Sequence, residues 1–132
     1  MSRLLFDTTF LIDAERAGDD LDELISDDDD VAIAAITLAE MRVGALLAKG
    51  RRQGARTAFV DDIASTLPIL AYDASVAEEH ALLLADVRRR GRPRGAHDLM
   101  IAATAKAAHR TVITADASAF AELPGIDVRS HG

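Results

Sequence analysis

The sequence predicts an α/β fold: a parallel sheet with helices packed on both of its faces. Two observations point there. Short apolar runs alternate with longer segments of helical periodicity, the order expected when each strand is followed by a crossover helix. The apolar share is 49%, yet there are only four phenylalanines, one tyrosine and no tryptophan. The core must therefore be aliphatic and alanine-rich, which suits helices lying on a sheet. A length of 132 residues fits one domain around one core, taken here as residues 1–132.

The elements follow in order. RLLF (3–6) reads as the first strand. TTFLIDAERA (8–17) and DDLDELIS (19–26) read as helical. The acidic run 27–30 reads as a solvated loop. VAIAAI (31–36) is a buried strand, and TLAEMRVGALLAKG after it is a helix that stops at Lys49-Gly50. A polar helix runs through Arg56 to Ser65, and LPILAY (67–72) is the third strand. In ASVAEEHALLLADVRRR (74–90), Val76, Ala77, Ala81, Leu84 and Val87 mark one helical face. DLMIAATAKAAH is apolar nearly all round, so a buried helix is expected. RTVIT (110–114) is the fourth strand, and a short helix, ASAFAEL, and IDVRS (126–130) finish the chain.

Composition narrows the function. There is no cysteine, so disulfides and thiolate metal sites are excluded. Asp7 and Asp13 interrupt the apolar N-terminal stretch, which does not read as a signal peptide. The longest apolar run is far too short to span a membrane, so a cytoplasmic location is expected. The net charge of −7 argues against general nucleic-acid affinity. A reader of nucleic acid with this balance needs a local basic patch or bound cations.

Four acids stand out. Asp7 follows the first strand directly. Glu40 lies four residues beyond the second, in the first turn of its helix. Asp98 opens the apolar helix, and Asp116 lies two residues past the fourth strand. Each has an ordinary reading. Asp7 and Asp116 can be N-caps. Thr37 to Glu40 fits a capping box. Asp98 complements a helix dipole. Taken together they mean more, because ligands of an open parallel sheet bind beyond the carboxyl ends of its strands. Converging carboxylates repel one another, and a hard cation removes that penalty. An oxygen-only donor set selects Mg²⁺, with Mn²⁺ able to replace it, over zinc. The matching chemistry is metal-assisted hydrolysis at phosphorus.

Other sites lack their signatures. There is no Gly-rich dinucleotide loop and no Walker lysine. A phosphoacceptor receiver domain would carry paired acids after its first strand, where this chain has Phe6-Asp7, and a lysine after its fifth. A haloacid-dehalogenase-type phosphatase would carry a second Asp where Thr9 stands. Of the histidines, His97 sits at a helix start beside Asp98, His109 at a helix C-terminus, and His80 and His131 carry no signal.

LFDTTFLID, ITLAEMRVG, GRPRGAHDLMIAATA and VITADASAFAELPGIDV, in that order and spacing, resemble the PIN-domain ribonucleases. Within them, the chain resembles the VapC-type toxins of bacterial toxin–antitoxin pairs. The resemblance covers essentially the whole chain. It implies a three-layer α/β/α fold with a parallel five-stranded sheet in order 3-2-1-4-5. Asp7, Glu40, Asp98 and Asp116 fall on the family's four acidic positions. Asp7 and Asp98 are implied as direct metal ligands, Glu40 and Asp116 as acting through water or a second metal. Thr8 and Thr114 match hydroxyl positions that support the acids. The implied activity is endoribonuclease cleavage that leaves a 5′-phosphate and a 3′-hydroxyl.

The resemblance also implies partners: an RNA substrate, a cognate VapB-type antitoxin and a second copy in a homodimer. The helices over 8–26, with Phe10, Leu11, Leu21, Leu24 and Ile25, would form part of the antitoxin groove, with ordinary core packing as the alternative. The basic stretch RRRGRPR divides in two. Arg88 to Arg90 complement a helix C-terminus that Gly91 and Pro93 end. Arg92 and Arg94 lie nearer the acids and are candidates to grip RNA phosphates. The competing class is a non-catalytic binding module, PIN-like or receiver-like, that acts through protein contacts. The intact set of four acids speaks against it.

Overall fold

A computed structural model describes residues 1–130; His131 lies outside the described residues. Five parallel strands form one sheet: β1 (Ser2–Phe6), β2 (Asp29–Ala34), β3 (Ile69–Leu70), β4 (Thr111–Thr114) and β5 (Val128–Ser130). Their order is β3-β2-β1-β4-β5, as expected, so β1 is central and the chain reverses direction across it. Six helices connect them: α1 (Thr8–Arg16), α2 (Leu21–Leu24), α3 (Ala35–Leu47), α4 (Arg51–Thr66), α5 (Ala74–Arg90) and α6 (Ala96–Ala107). A 3-10 helix, Ala117–Phe120, follows β4.

Strand residues alternate between two cores. Leu4 and Phe6 of β1, Val31 and Ile33 of β2 and Ile113 of β4 pack with Phe10, Leu11, Met41, Val60 and Ile63. The residues between them, Leu5, Ala32, Ala34 and Val112, pack with Val76, Leu83, Leu99, Ile101 and Phe120. Hence α1, α3 and α4 cover one face while α5 and α6 cover the other. The small residues Ala102, Ala103 and Ala105 let α6 lie close to the sheet and to α5.

Several boundaries differ from expectation. The second strand begins two residues early and ends at Ala34, and Ala35-Ile36 already belong to α3. Half of the acidic run is thus strand. Asp29 and Asp30 pair with Ser2 and Arg3 of β1. Asp30 is satisfied by Arg110, whose Nη1 donates to its carboxylate at 3.0 Å and to its carbonyl at 2.8 Å. Arg3 adds an outer contact at 3.3 Å. The third strand shrinks to two residues, and Pro68 before it, which has no N–H to donate, still accepts the Ile33 N–H through its carbonyl at 3.1 Å. Helix 19–26 shrinks to one turn, and the polar helix starts earlier, at Arg51 after Gly50. On α5 the buried line is Val76, Leu83 and Val87, whereas Ala81 is exposed. That helix ends as expected. Gly91 adopts φ +65°, and the N–H of Arg92 reaches back to the Val87 carbonyl at 3.1 Å.

The Asp30–Arg110 contact yields a contrast measurable by urea unfolding. The Arg110 side chain is 7% exposed, so Asp30→Ala strands a buried cation and should cost about 2–3 kcal/mol. Arg3→Ala removes only a half-exposed partner and should cost under about 1 kcal/mol.

Candidate active site

Asp7 is the residue after β1, at the centre of the sheet, and it is 2% exposed. It does cap α1, accepting the Phe10 N–H at 2.9 Å. That ordinary role is not its whole environment. Thr9 Oγ1 donates to the carboxylate at 3.0 Å, and Thr114 Oγ1, from the end of β4, donates to Oδ2. Thr114 in turn accepts the Asp116 N–H at 3.0 Å, and Thr9 accepts the Ala115 N–H. Two hydroxyls and one backbone N–H therefore hold one buried carboxylate and tie it to the segment after β4.

Glu40 is placed differently from the sequence expectation. Because α3 starts at Ala35, Glu40 lies in its second turn, and no capping box forms. The N-cap is Ala34, with no side-chain cap. Thr37 is fully buried one turn before Glu40, and its hydroxyl oxygen lies 3.3 Å from that of Thr8. Thr8 Oγ1 also lies 2.7 Å from Glu40 Oε1, and His97 Nδ1 lies 3.0 Å from Oε2. Both carboxylate oxygens are thus held, one from α1 and one from α6. Asp98 sits in the first turn of α6 as expected. A Cβ on Gly95 would come within 2.9 Å of Asp98 Oδ2, so glycine leaves the space that this carboxylate occupies. Asp116 precedes the 3-10 helix without capping it, and Ser118 Oγ donates to its Oδ1.

The acids sense one another. Burial pushes the Asp7 carboxyl above the ordinary carboxylate range against the pull of Thr114, Phe10 and Thr9, and Asp116 adds to the rise. Asp98 is raised by burial, then by the negative charges of Asp7, Glu40 and Asp116, with the His97 ring opposing. All four predicted acids thus share one edge, fed by β1, α3, α6 and the segment after β4. Among the described residues, no three acidic or histidine side chains close into a ready-made cage. Raised, mutually repelling carboxyls are the donor set that a divalent cation would relieve.

Thr8 and Thr114, the two hydroxyls singled out by resemblance, each hydrogen-bond one of the acids, Glu40 and Asp7 respectively. Thr9, Thr37, His97 and Gly95 were not singled out as supports by the sequence. Thr9 had a local signal, since a hydroxyl two residues after an N-cap aspartate can reach its carboxylate. The contacts of His97 and Gly95 depend on how α6 meets α3, which no local pattern reveals. Arg92 and Arg94 lie away from the acids' own hydrogen bonds: Arg92 pairs with Glu122, and Arg94 Nη2 donates to the Ala121 carbonyl at 2.8 Å. His80 Nδ1 bonds the Tyr72 hydroxyl at 2.7 Å, outside the acid cluster. The predicted antitoxin groove needs correction. Phe10, Leu11 and Leu21 are at most 4% exposed and belong to the core.

Four acids gathered beyond the carboxyl ends of a parallel sheet are a donor set that a hard cation could join. The chain belongs to the PIN-domain family, whose profile matches residues 4–126. It is 32% identical over 126 residues to "Ribonuclease VapC4" of Mycobacterium tuberculosis, covering 96% of this chain and 95% of that one. It is 33% identical over 98 residues to "tRNA(fMet)-specific endonuclease VapC" of Salmonella typhimurium, covering 74% and 73%. Among solved structures it resembles the DNA-bound VapBC of Salmonella typhimurium, with a TM-score of 0.85, 28% identity and 98% of each chain covered.

The raised carboxyls fix a sign for stability. A carboxyl whose folded pKa lies above its ordinary 3.8 destabilises the fold when ionised. The penalty is absent below 3.8, appears as pH rises through the folded value, and persists at neutral pH. In EDTA at pH 7, Asp98→Asn should therefore raise Tm by a few degrees. The gap to the unsubstituted protein should close as pH falls toward 4. Thermal scans across pH check this, and a gap independent of pH would contradict it.

Proposed function

We propose that this protein is a Mg²⁺-dependent endoribonuclease toxin of the VapC type, acting on cellular RNA in the cytoplasm and neutralised by a VapB-type antitoxin. The observation that carries the reading is the convergence of Asp7, Glu40, Asp98 and Asp116 on one sheet edge, with two of them driven toward protonation by burial and by their neighbours. The names of the relatives support it, as ribonucleases and endonucleases.

Asp7 and Asp98 would hold the cation directly, and Glu40 and Asp116 through water. A bound divalent cation lowers the pKa of a water and offsets charge developing on a phosphoryl oxygen. The protein's own part is positioning. Thr9, Thr114 and the Phe10 N–H keep the buried Asp7 ionisable. Thr8 and His97 fix both oxygens of Glu40. Gly95 admits the Asp98 carboxylate. Arg92 and Arg94, beside that glycine, would take phosphates of the RNA strand.

The antitoxin segment would lie in the groove between α1, α3 and α4, lined by Ile12, Arg16, Met41, Arg56 and Phe59, with Glu40 at its edge. This replaces the buried residues expected from the sequence. A homodimer belongs to the same reading. Val43, Leu46 and Leu47 of α3 are each more than half exposed, and a second copy would cover them.

Cleavage of RNA by purified protein tests the reading. Asp98→Asn should lower the rate at least about 100-fold while the fold persists, and EDTA should abolish it until Mg²⁺ is restored. Full activity in excess EDTA would refute the metal requirement. In cells, induced expression should arrest growth and Asp7→Asn should relieve it; arrest that persists would favour a non-catalytic binding module.

Gly95 offers a finer check. Gly95→Ala should displace the Asp98 carboxylate and slow cleavage about 10- to 100-fold, with stability changed by under about 1 kcal/mol. Steady-state rates beside urea midpoints measure both.

A further inference from the structure

Three arginines around the turn after α5 converge on one short segment. Arg92 Nη1 pairs with Glu122 Oε2, and Arg94 Nη2 lies 3.9 Å from the same oxygen. Arg94 also donates to the Ala121 carbonyl at 2.8 Å, and Arg90 Nη1 to the Glu122 carbonyl at 3.3 Å. Glu122 sits at φ +67°, a backbone conformation that a residue with a side chain rarely adopts. Together Arg90, Arg92, Arg94 and Glu122 line one surface pocket beyond the 3-10 helix.

A carboxylate oxygen between two guanidinium groups has the charge and hydrogen-bonding capacity of a phosphate oxygen. The Arg92–Glu122 pair is also weak enough to exchange. Its side chains are 62% and 50% exposed, and ion pairs so placed add little to stability. Along the chain, Arg94 is followed directly by Gly95, where an added Cβ would meet the Asp98 carboxylate.

We propose that Arg92 and Arg94 form an oxyanion site that Glu122 occupies in the free protein and an RNA phosphate occupies in the complex. Glu122 is then an intramolecular competitor that sets RNA affinity without touching the acids. The inference rests on the reading of Arg92 and Arg94 as phosphate contacts. The competitor lowers affinity at this site for any anion by the same factor, so it sets the strength of the phosphate contact and not its selectivity.

Binding of a short, labelled, single-stranded RNA of mixed sequence is measured by fluorescence anisotropy across salt, with Mg²⁺ present. The full chain carries Asp98→Asn throughout, so that the RNA is not cut. Glu122→Gln should tighten binding about two- to five-fold, the range set by a weak exposed pair. Its salt slope should stay unchanged. Glu122→Gly, which suits the positive φ, should tighten it as well and guards against a folding defect in the first variant. Arg92→Ala with Arg94→Ala should weaken binding and reduce the salt slope by about 0.7 per arginine. In that double background Glu122→Gln should have no effect.

If the arginine variants leave affinity and slope unchanged, the phosphate-contact reading fails and the inference with it. If they weaken binding but neither Glu122 variant tightens it, the arginines bind RNA and only the competitor is overturned. Tightening that survives loss of both arginines would mean that Glu122 acts through general charge, which also overturns the competitor.

Discussion

A carboxylate with almost no access to water, at the end of the central strand, constrains everything around it. Asp7 cannot be ionised in an apolar pocket without compensation. The compensation comes from Thr9, Thr114 and the first turn of α1, and each of those is fixed by something larger. Thr114 is where it is because β4 pairs with β1 in register, Ile113 opposite Phe6. The Phe10 N–H is where it is because α1 begins one residue after the strand. The hydroxyls lower the energy of the charge without cancelling it, so burial still holds the carboxyl above its ordinary range.

The remaining acids reach the same edge from both layers. Glu40 stands on α3, which packs with α1 and α4 on one face. Asp98 stands on α6, which packs with α5 on the other. His97 Nδ1 against Glu40 is therefore a bond between the two layers across the top of the sheet. The sheet brings carboxylates together that no single element could, and the resulting repulsion is a property of the fold. A chain of net charge −7 can engage a polyanion only where that sign is reversed locally. Cation and arginines would do so side by side.

Much of this was legible in the sequence, because both the sheet and the site obey patterns that repeat locally. Short apolar runs such as RLLF and VAIAAI, set between segments of helical periodicity, and the near-uniform apolarity of α6 pointed to the layers. Asp7, Glu40 and Asp116 drew notice from their places after strands, and Asp98 from opening the apolar helix. The helix stop at Gly91 was legible for a steric reason, since a residue there needs positive φ. What escaped depended on contacts between distant elements. Asp29 and Asp30 looked like loop because four aspartates in a row read as solvated, and their partner Arg110 lies 80 residues away. Phe10 and Leu11 were placed in a partner groove by resemblance alone, whereas they are buried in the core that β1, β2 and β4 share with the helices on that face. Glu40 was assigned to the wrong turn because VAIAAI reads as one apolar unit, although the strand yields to helix inside it.

That junction has a consequence for how the domain can vary. Between β2 and α3 there is no loop at all: Ala34 ends the strand and Ala35 starts the helix. Each residue added or removed there would turn α3 by about 100° and carry Glu40 off the edge. The turn over 91–95 has no such phase to keep, because α6 is positioned by its own packing. Lengthening is thus tolerable in the arginine turn and intolerable before Glu40. A natural or engineered relative can remodel how it meets RNA while the spacing of its acids stays locked.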